Sequence, residues 1–193
     1  MNGLIAPGSD NYQLNPNEAK RLYCFWDTNS IANGVTAITE YFNAQGNSVD
    51  TKLPAPNRFP GGWDVTVWRM SLETVVTGQT PTTALDMNAL VSGSWVRVMR
   101  NSTETIAEIP TSIIANTGGG TNDPGNAASN AQVPTFGLPS TTSVMTFPSF
   151  AQWQIPNGQF FHIDWIPDTG GITLSATVKL KIVLWTELTK PTS

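Results

Sequence analysis

The chain has 193 residues, a formal net charge of −4 and 12% charged residues, which is about half the charged share of an average soluble protein. Its lysines and arginines form no run, and phosphate backbones are bound mainly through clustered cations, so the composition argues against direct binding of nucleic acid. The length suits one domain with a sizeable core, and the low charge suits a surface that neighbouring proteins cover.

The amino-terminal part of the chain predicts one short helix followed by strands. Asn15 suits an N-cap and Pro16 the first helical position, so a helical turn is expected over Asn15–Lys20. The aromatic cluster Leu22–Asp27 and the partly alternating segment Thr36–Phe42 both predict strands. Strand signals therefore begin early in the chain.

The longest strand signal is Trp63–Val76, which follows a Pro-rich connection. Successive side chains of a regular strand point to opposite faces. Regular alternation places Val65 and Val67 on one face of this strand, and Trp68 and Met70 on the other. We therefore expect its apolar residues to be divided between two faces.

The middle of the chain predicts one helix and two strands. Thr82–Leu90 is the second helical candidate, about two turns long. Ser94–Arg100 alternates clearly and predicts a strand. In the next segment, Thr105–Ile114, Pro110 cannot donate a ladder hydrogen bond, so it should mark a bend or an edge strand.

A long connection separates these strands from the carboxy-terminal ones. Residues 115–140 are rich in Gly, Asn and Pro and almost uncharged, which predicts a long flexible loop. The tripeptide at residues 156–158, Pro-Asn-Gly, joins two aromatic segments and predicts a tight hairpin. The strand signals in this part are Ser143–Phe147, Phe150–Ile155, Gln159–Trp165 and Thr177–Thr186.

The pattern as a whole predicts an all-β protein. Eight to ten short strands, with Gly, Pro and Asn between them, fit two packed antiparallel sheets. The long connections are those that a Greek-key chain needs in order to cross between sheets. The predicted fold is therefore a jelly-roll β-sandwich.

Residues that could carry chemistry are scarce. His162 is the only histidine and lies in an aromatic strand, where a structural role is the usual one. Cys24 is the only cysteine and lies in an apolar run, where we expect a small buried side chain. Metal sites usually combine several His or Cys ligands. We therefore predict no catalytic, cofactor-binding or metal site.

A pair of carboxylates is the alternative catalytic arrangement, because a glycosidase needs only two of them across a sugar. Asp64 and Glu73 are separated by an odd number of positions, so a regular strand points them to opposite faces. A jelly-roll glycosidase is thus the least favoured hypothesis. The candidate carboxylates are Asp64, Glu73, Glu104, Glu108 and Asp164.

The seven tryptophans indicate packing or recognition. Most of them lie in strand segments among apolar neighbours, which predicts a role in the core or in subunit interfaces, where aromatic residues are enriched. Exposed indole rings that stack on sugars are the alternative. The strand tryptophans are Trp63, Trp68, Trp95, Trp153, Trp165 and Trp185.

In three features the chain resembles the single jelly-roll coat proteins of tailless icosahedral phages, some of which contain a membrane. They are the run Phe150–Phe161, the closing strand Val178–Trp185 before a short polar tail, and the long uncharged loops. The resemblance implies a structural capsid protein that is made in the host cytoplasm and self-assembles into the virion shell. It implies no enzymatic activity and no cofactor.

The resemblance also implies a domain organisation and partners. Residues 1–16 would form an extended arm along an adjacent subunit, and residues 17–193 a single jelly-roll domain. The partners would be copies of this chain and other capsid subunits. Unlike the coat proteins of RNA viruses, this chain has no basic run in the predicted arm. That difference fits a shell that lies over a membrane, or one in which other components neutralise the charge of the genome. The resemblance does not distinguish a major coat protein from a minor coat protein or a spike. The alternative function is a carbohydrate- or receptor-binding β-sandwich at a spike or fibre tip.

Overall fold

The computed structural model describes residues 20–75, 84–114, 145–146 and 153–191. The predicted arm 1–16, most of the predicted turn Asn15–Lys20 and the predicted loop 115–140 lie outside these residues. Lys20 itself opens the first strand. The elements of the described part are β1 (Lys20–Ile31), β2 (Thr39–Tyr41), β3 (Gly46–Asn47), β4 (Lys52–Leu53), β5 (Asp64–Val75), α1 (Ala84–Ser92), β6 (Ser94–Arg100), β7 (Glu104–Pro110), α2 (Thr111–Ile114), β8 (Met145–Thr146), β9 (Trp153–Ile155), β10 (Phe161–Pro167) and β11 (Val178–Thr189).

The strands form two antiparallel sheets, which confirms the predicted all-β sandwich. The larger sheet has the order β3-β4-β1-β11-β5-β8, and β9 also pairs with β5. The smaller sheet has the order β2-β10-β6-β7. The predicted helix near Thr82–Leu90 is present as α1, which begins and ends two residues later.

The strand pairing is that of a jelly roll. Eight strands pair as the two arms of one long antiparallel hairpin, in which earlier strands pair with later ones in reverse order. The pairs are β1·β11, β2·β10, β5·β9 and β6·β7. Two further pairings, β11·β5 and β10·β6, join these pairs into the two sheets. Folding a long hairpin across itself in this way produces the double Greek key of a jelly roll.

The core lies between the sheets and is filled by alternate residues of both. In β10, Phe161, Ile163 and Trp165 are fully buried, and each such side chain stabilises the fold by about 1.5–3 kcal/mol. The hydroxyl of Tyr41 in β2 donates to the carbonyl of Leu180 in β11 at 3.0 Å and so connects the two sheets. Burial raises the pKa of Tyr41 well above its ordinary value, so this hydroxyl stays a donor.

Strand β5 does not alternate regularly, so the prediction for Met70 is wrong. Its pairing with β11 shifts between Trp185 and Thr186, which face Arg69 and Val67, and Trp68 has no partner in the ladder. Such a β-bulge inserts one extra residue and reverses the alternation beyond it. Met70 is therefore fully buried on the same face as Val67.

The tripeptide at residues 156–158 is a tight turn, but the predicted hairpin is wrong. The amide of Gln159 donates to the carbonyl of Pro156 at 3.1 Å, and Gly158 has a φ of 82°, which favours glycine. However, β9 pairs with β5 in the larger sheet, whereas β10 belongs to the smaller one. The turn therefore leads the chain from one sheet to the other.

Three connections meet at the end of the sandwich where this turn lies. The amide of Asn101, between β6 and β7, donates to the carbonyl of Phe160 at 3.0 Å. The amide of Phe161 donates to the carbonyl of Asn57 at 3.0 Å, and Gly62 donates to the side chain of Asn157 at 2.8 Å.

Strand β7, which ends at Pro110, lies at the edge of the smaller sheet. This position agrees with the prediction that Pro110 marks a bend or an edge strand.

Candidate functional site

The outer face of the larger sheet carries an unusual set of aromatic residues. The outer face of a two-sheet sandwich is normally polar. Here Trp185, the direct partner of Cys24, lies beside Trp68 on the next strand, and the two ring centroids are 6.2 Å apart. Trp26 lies one row further, opposite Val183. We name this surface the tryptophan face and define it by Cys24, Trp26, Trp68, Arg69, Val183 and Trp185.

The bulge at Trp68 accounts for the aromatic pair on this face. The extra residue lies next to Arg69, the direct cross-strand partner of Trp185. As a result, two indoles and one guanidinium gather on adjacent strands, with the Arg69 Cζ atom 5.0 Å from the Trp185 ring centroid. Burial lowers the pKa of Arg69, so its charge is partly removed from water.

The cations at this surface lie over aromatic rings. The Nζ atoms of Lys52 and Lys181 are 5.2 and 5.9 Å from the Trp26 ring centroid. Within the described residues, Lys52, Lys181 and Arg69 form no ion pair with a carboxylate. A cation over an indole ring keeps its attraction for a further negative group.

Buried donors without acceptors mark the same surface. The indole N–H groups of Trp68 and Trp185 and the Nε–H of Arg69 are shielded from solvent and donate to no acceptor in the described part of the chain. The core indoles of Trp153 and Trp165 are also unpaired. A buried unpaired donor costs about 1–3 kcal/mol.

Cys24 lies on the tryptophan face and not in the core, where we expected it. It is half-buried, because even-numbered residues of β1 point outward whereas Phe25 and Asp27 point inward. Burial raises the pKa of the Cys24 thiol to about 11, although the positive charges of Arg69 and Lys52 oppose the shift. The thiol is therefore protonated at neutral pH.

The raised pKa predicts slow reaction of Cys24 with thiol reagents. Because only the thiolate is the nucleophile, the rate at pH 8 should be about 200-fold below that of a free cysteine with a pKa of about 8.5. The rate should rise about tenfold per pH unit up to about pH 11, and dithionitrobenzoate absorbance measures it. A rate that levels off near pH 9 would contradict the prediction.

The predicted strand tryptophans fall into two groups. Trp153 and Trp165 are buried in the core, as the packing interpretation requires. The others are half-buried, and only two of them, Trp68 and Trp185, lie on the tryptophan face. Trp26, which was not among the predicted strand tryptophans, completes it.

His162 has structural partners, which agrees with the structural role expected for it. Its Nδ1 atom lies 2.9 Å from Oε1 of Glu40, and the side-chain amide of Asn57 donates to the same oxygen at 3.1 Å. This cluster connects β10, β2 and the connection before β5. On the same outer face, Arg97 donates to Asp164 at 2.7 Å.

The candidate carboxylates are scattered, except for one pair. The bulge places Asp64 and Glu73 on the same face of β5, which overturns the expectation for a regular strand, but about 30 Å of strand separates them. Glu104 is exposed and accepts two hydrogen bonds from Arg100, which lower its pKa.

Asp164 and Glu108 are the two candidate carboxylates that lie in the same cross-strand row of the smaller sheet. They face opposite sides of Arg97 across β10, β6 and β7. The guanidinium of Arg97 forms an ion pair with Asp164, so this pair is part of a charged row on an open sheet face.

A pocket lies at the end of the sandwich where β1 begins and β5 starts. It has a volume of about 290 Å³. Its two aromatic walls each hold a cation: the Arg21 Cζ atom is 4.7 Å from the Trp63 ring centroid, and the Lys52 Nζ atom is 5.2 Å from that of Tyr23. We name it the end pocket. Its described lining is Arg21, Tyr23, Phe25, Gly46, Asn47, Lys52, Leu53, Pro54, Pro60, Trp63 and Leu188.

Within the described ranges, no group of three or more His, Cys, Asp or Glu side chains is placed to hold a metal ion. No helix in those ranges has the length and apolar character needed to cross a bilayer. No protein-family model matches the chain, and no curated protein is measurably similar to it. The function of the protein therefore has to be inferred from its geometry.

Proposed function

We propose that the chain is a structural subunit of an icosahedral viral shell and that its copies associate through the tryptophan face. The jelly roll is a fold of capsid and lectin domains. The single observation that carries the proposal is the placement of two adjacent indoles and Arg69 on the outer face of such a fold. Trp and Arg are the residues that most often dominate binding energy in protein interfaces.

The outer surface of the three long strands that carry the tryptophan face is large enough for a specific contact. Strands β1, β11 and β5 each have 12 residues. At about 3.3 Å per residue and about 4.8 Å between strands, they offer about 600 Å². Two partners would bury about 1,200 Å² in total, the lower limit of stable interfaces, and a shell adds several such contacts for each subunit.

Low charge supports association of many copies. The chain has 24 charged side chains among 193 residues and a net charge of −4. Repulsion between neighbouring copies is therefore small. On this proposal the protein acts in the virion, beside copies of itself and other shell proteins.

Association can be tested with matched tryptophan variants of the full chain. Light scattering after size exclusion and electron microscopy should show capsomers or ordered sheets. Trp185→Ser should raise the concentration needed for half-assembly about 30-fold, because a hot-spot residue contributes about 2 kcal/mol.

Trp95→Ser is the matched control for this test, since Trp95 is half-buried on the outer face of the smaller sheet. It should assemble at the wild-type concentration. A wild-type chain that stays monomeric at high concentration would overturn the proposal. Equal losses in both variants would show that the tryptophan face is not the contact.

The end pocket supports one alternative, a carbohydrate- or receptor-binding domain at a spike or fibre tip. Tyr23 and Trp63 both line it, and aromatic side chains are common in small-molecule sites. A glycan array with the full chain tests this alternative. Specific glycans whose binding is lost in Trp63→Ser and kept in Trp185→Ser would favour it over a purely structural role.

A further inference from the structure

We propose that copies of this chain pair about a two-fold axis, tryptophan face to tryptophan face, so that Arg69 of each copy binds Glu73 of the other. This inference rests on the proposed function, because it concerns the same contact between copies. It adds the surface that the tryptophan face binds, which is the same face of a second copy, and the orientation of the two copies. Such a pair is closed, and two-fold dimers are the commonest oligomers.

Arg69 and Glu73 lie symmetrically about Ser71 on the outer face of β5. Beyond the bulge, the register of β5 with β11 is regular from Arg69 onward, so alternate residues share one face. The Ser71 hydroxyl donates to Glu73 at 3.4 Å on that face. At about 3.4 Å per residue, Arg69 and Glu73 are each about 7 Å from Ser71 along the strand. A two-fold axis that crosses the strands at Ser71 therefore exchanges the positions of Arg69 and Glu73.

The charges of Arg69 and Glu73 are complementary between two copies but do not pair within one. Their Cα atoms are about 14 Å apart along the strand. Within the described residues, neither side chain forms an ion pair. The axis at Ser71 places each of them opposite the other charge of the second copy, so one contact contains the pair twice. Charge complementarity of this kind fixes the orientation of two partners and disfavours other arrangements.

The same axis suits the two neighbouring strands. Ser71 lies in one cross-strand row with Val183 of β11 and Trp26 of β1. Small and apolar side chains therefore lie along the axis itself. On β11 the axis exchanges Lys181 with Trp185, so the lysine of each copy lies opposite the indole of the other. A cation over an indole ring is attractive.

The pairing also covers two exposed apolar side chains. Val49 is 79% exposed and Leu22 is 64% exposed, the highest values among the large apolar residues that the structure describes. Val49 lies at one end of the face, where its carbonyl accepts a hydrogen bond from Lys181 at 3.0 Å. Leu22 lies on β1 at the other end, four residues from Trp26. Because the axis exchanges the two ends, Val49 of each copy lies near Leu22 of the other, and burial of both side chains favours the pair.

A charge exchange in the full chain tests the pairing, with sedimentation velocity over a concentration series as the measurement. Arg69→Glu and Glu73→Arg should each raise the dissociation constant of the dimer about 30-fold, since each places two pairs of like charge in the contact. A 1:1 mixture of the two variants should regain the wild-type dissociation constant, because both pairs in the mixed dimer are again of opposite charge. The double variant Arg69→Glu/Glu73→Arg should regain it for the same reason, and it keeps the test decisive if one single variant does not fold.

Glu108→Arg is the matched control. Glu108 faces Arg97 on the neighbouring strand as Glu73 faces Lys181, but it lies on the smaller sheet. The control changes the net charge by the same amount and should dimerise like the wild type. If wild-type copies associate but neither the mixture nor the double variant recovers, or if the control loses as much, the two-fold pairing is overturned and the shell function stands. A wild-type chain that stays monomeric at high concentration overturns both.

Discussion

Replacing Asp27 with alanine should lower the free energy of unfolding by about 3–5 kcal/mol. The carboxylate is 4% exposed and accepts hydrogen bonds from the amide of Phe42 at 2.7 Å, the hydroxyl of Thr51 at 2.6 Å and the amide of Thr28 at 3.0 Å. Each buried donor that loses its acceptor costs about 1–3 kcal/mol. Urea denaturation followed by circular dichroism measures the loss.

The backbone at Phe42 adds to this effect. Phe42 is fully buried and has a φ of 62°, a left-handed conformation that costs a non-glycine residue about 1–3 kcal/mol. Its amide donates to Asp27, and its carbonyl accepts from the amide of Asn57 at 2.7 Å, so removing Asp27 takes away one of the two bonds that hold the strained backbone in place. The control is Asp168→Ala, which removes an exposed acceptor of Thr169 in a turn and should cost under about 1 kcal/mol. Equal losses in both variants would contradict the assignment.

Deleting Trp68 should leave the fold intact, whereas deleting Ser71 from the same strand should prevent folding. Without Trp68, Val67 and Arg69 become neighbours and face Thr186 and Trp185 in a continuous register. The bulge disappears, and every inward residue of β5 still points inward. The deletion removes packing on the tryptophan face only.

Deleting Ser71 reverses the alternation beyond Met70. Leu72 would turn outward and Glu73 would enter the core, and a buried unpaired carboxylate costs several kcal/mol. The combined loss reaches the total stability of a typical domain, about 5–15 kcal/mol. Circular dichroism and amide NMR spectra of both deletions measure the outcome. A Trp68 deletion as unfolded as the Ser71 deletion would contradict the bulge.

The positions of strands in this chain could be predicted from local sequence patterns, but some of their pairings and registers could not. The bounds of β6 were predicted correctly, because its residues alternate without interruption from Ser94 to Arg100. The bulge in β5 was missed, because Trp68 is itself apolar and hides the three-residue step from Val67 to Met70. That step is the one sequence signal from which the bulge could have been inferred.

Turn chemistry identified a turn at residues 156–158 but not its destination. A Pro-Asn-Gly sequence fixes the local backbone, whereas the sheet that β10 joins is decided by where its buried face packs. The candidate sites show the same limit. Arg21, Lys52 and Trp63 are distant in the sequence and are brought into one pocket only by the jelly-roll pairing.

The pairing of β1 with β11 has a consequence for how the protein is made. All twelve residues of β1 pair with β11, across sequence separations of roughly 150 residues. Strand β11 also lies between β1 and β5, so the centre of the larger sheet is synthesised after all the other described strands. Until β11 arrives, both neighbours expose unpaired edges and apolar side chains, a state prone to aggregation. The larger sheet can therefore be completed only after β11 has been synthesised, and the tryptophan face forms only then.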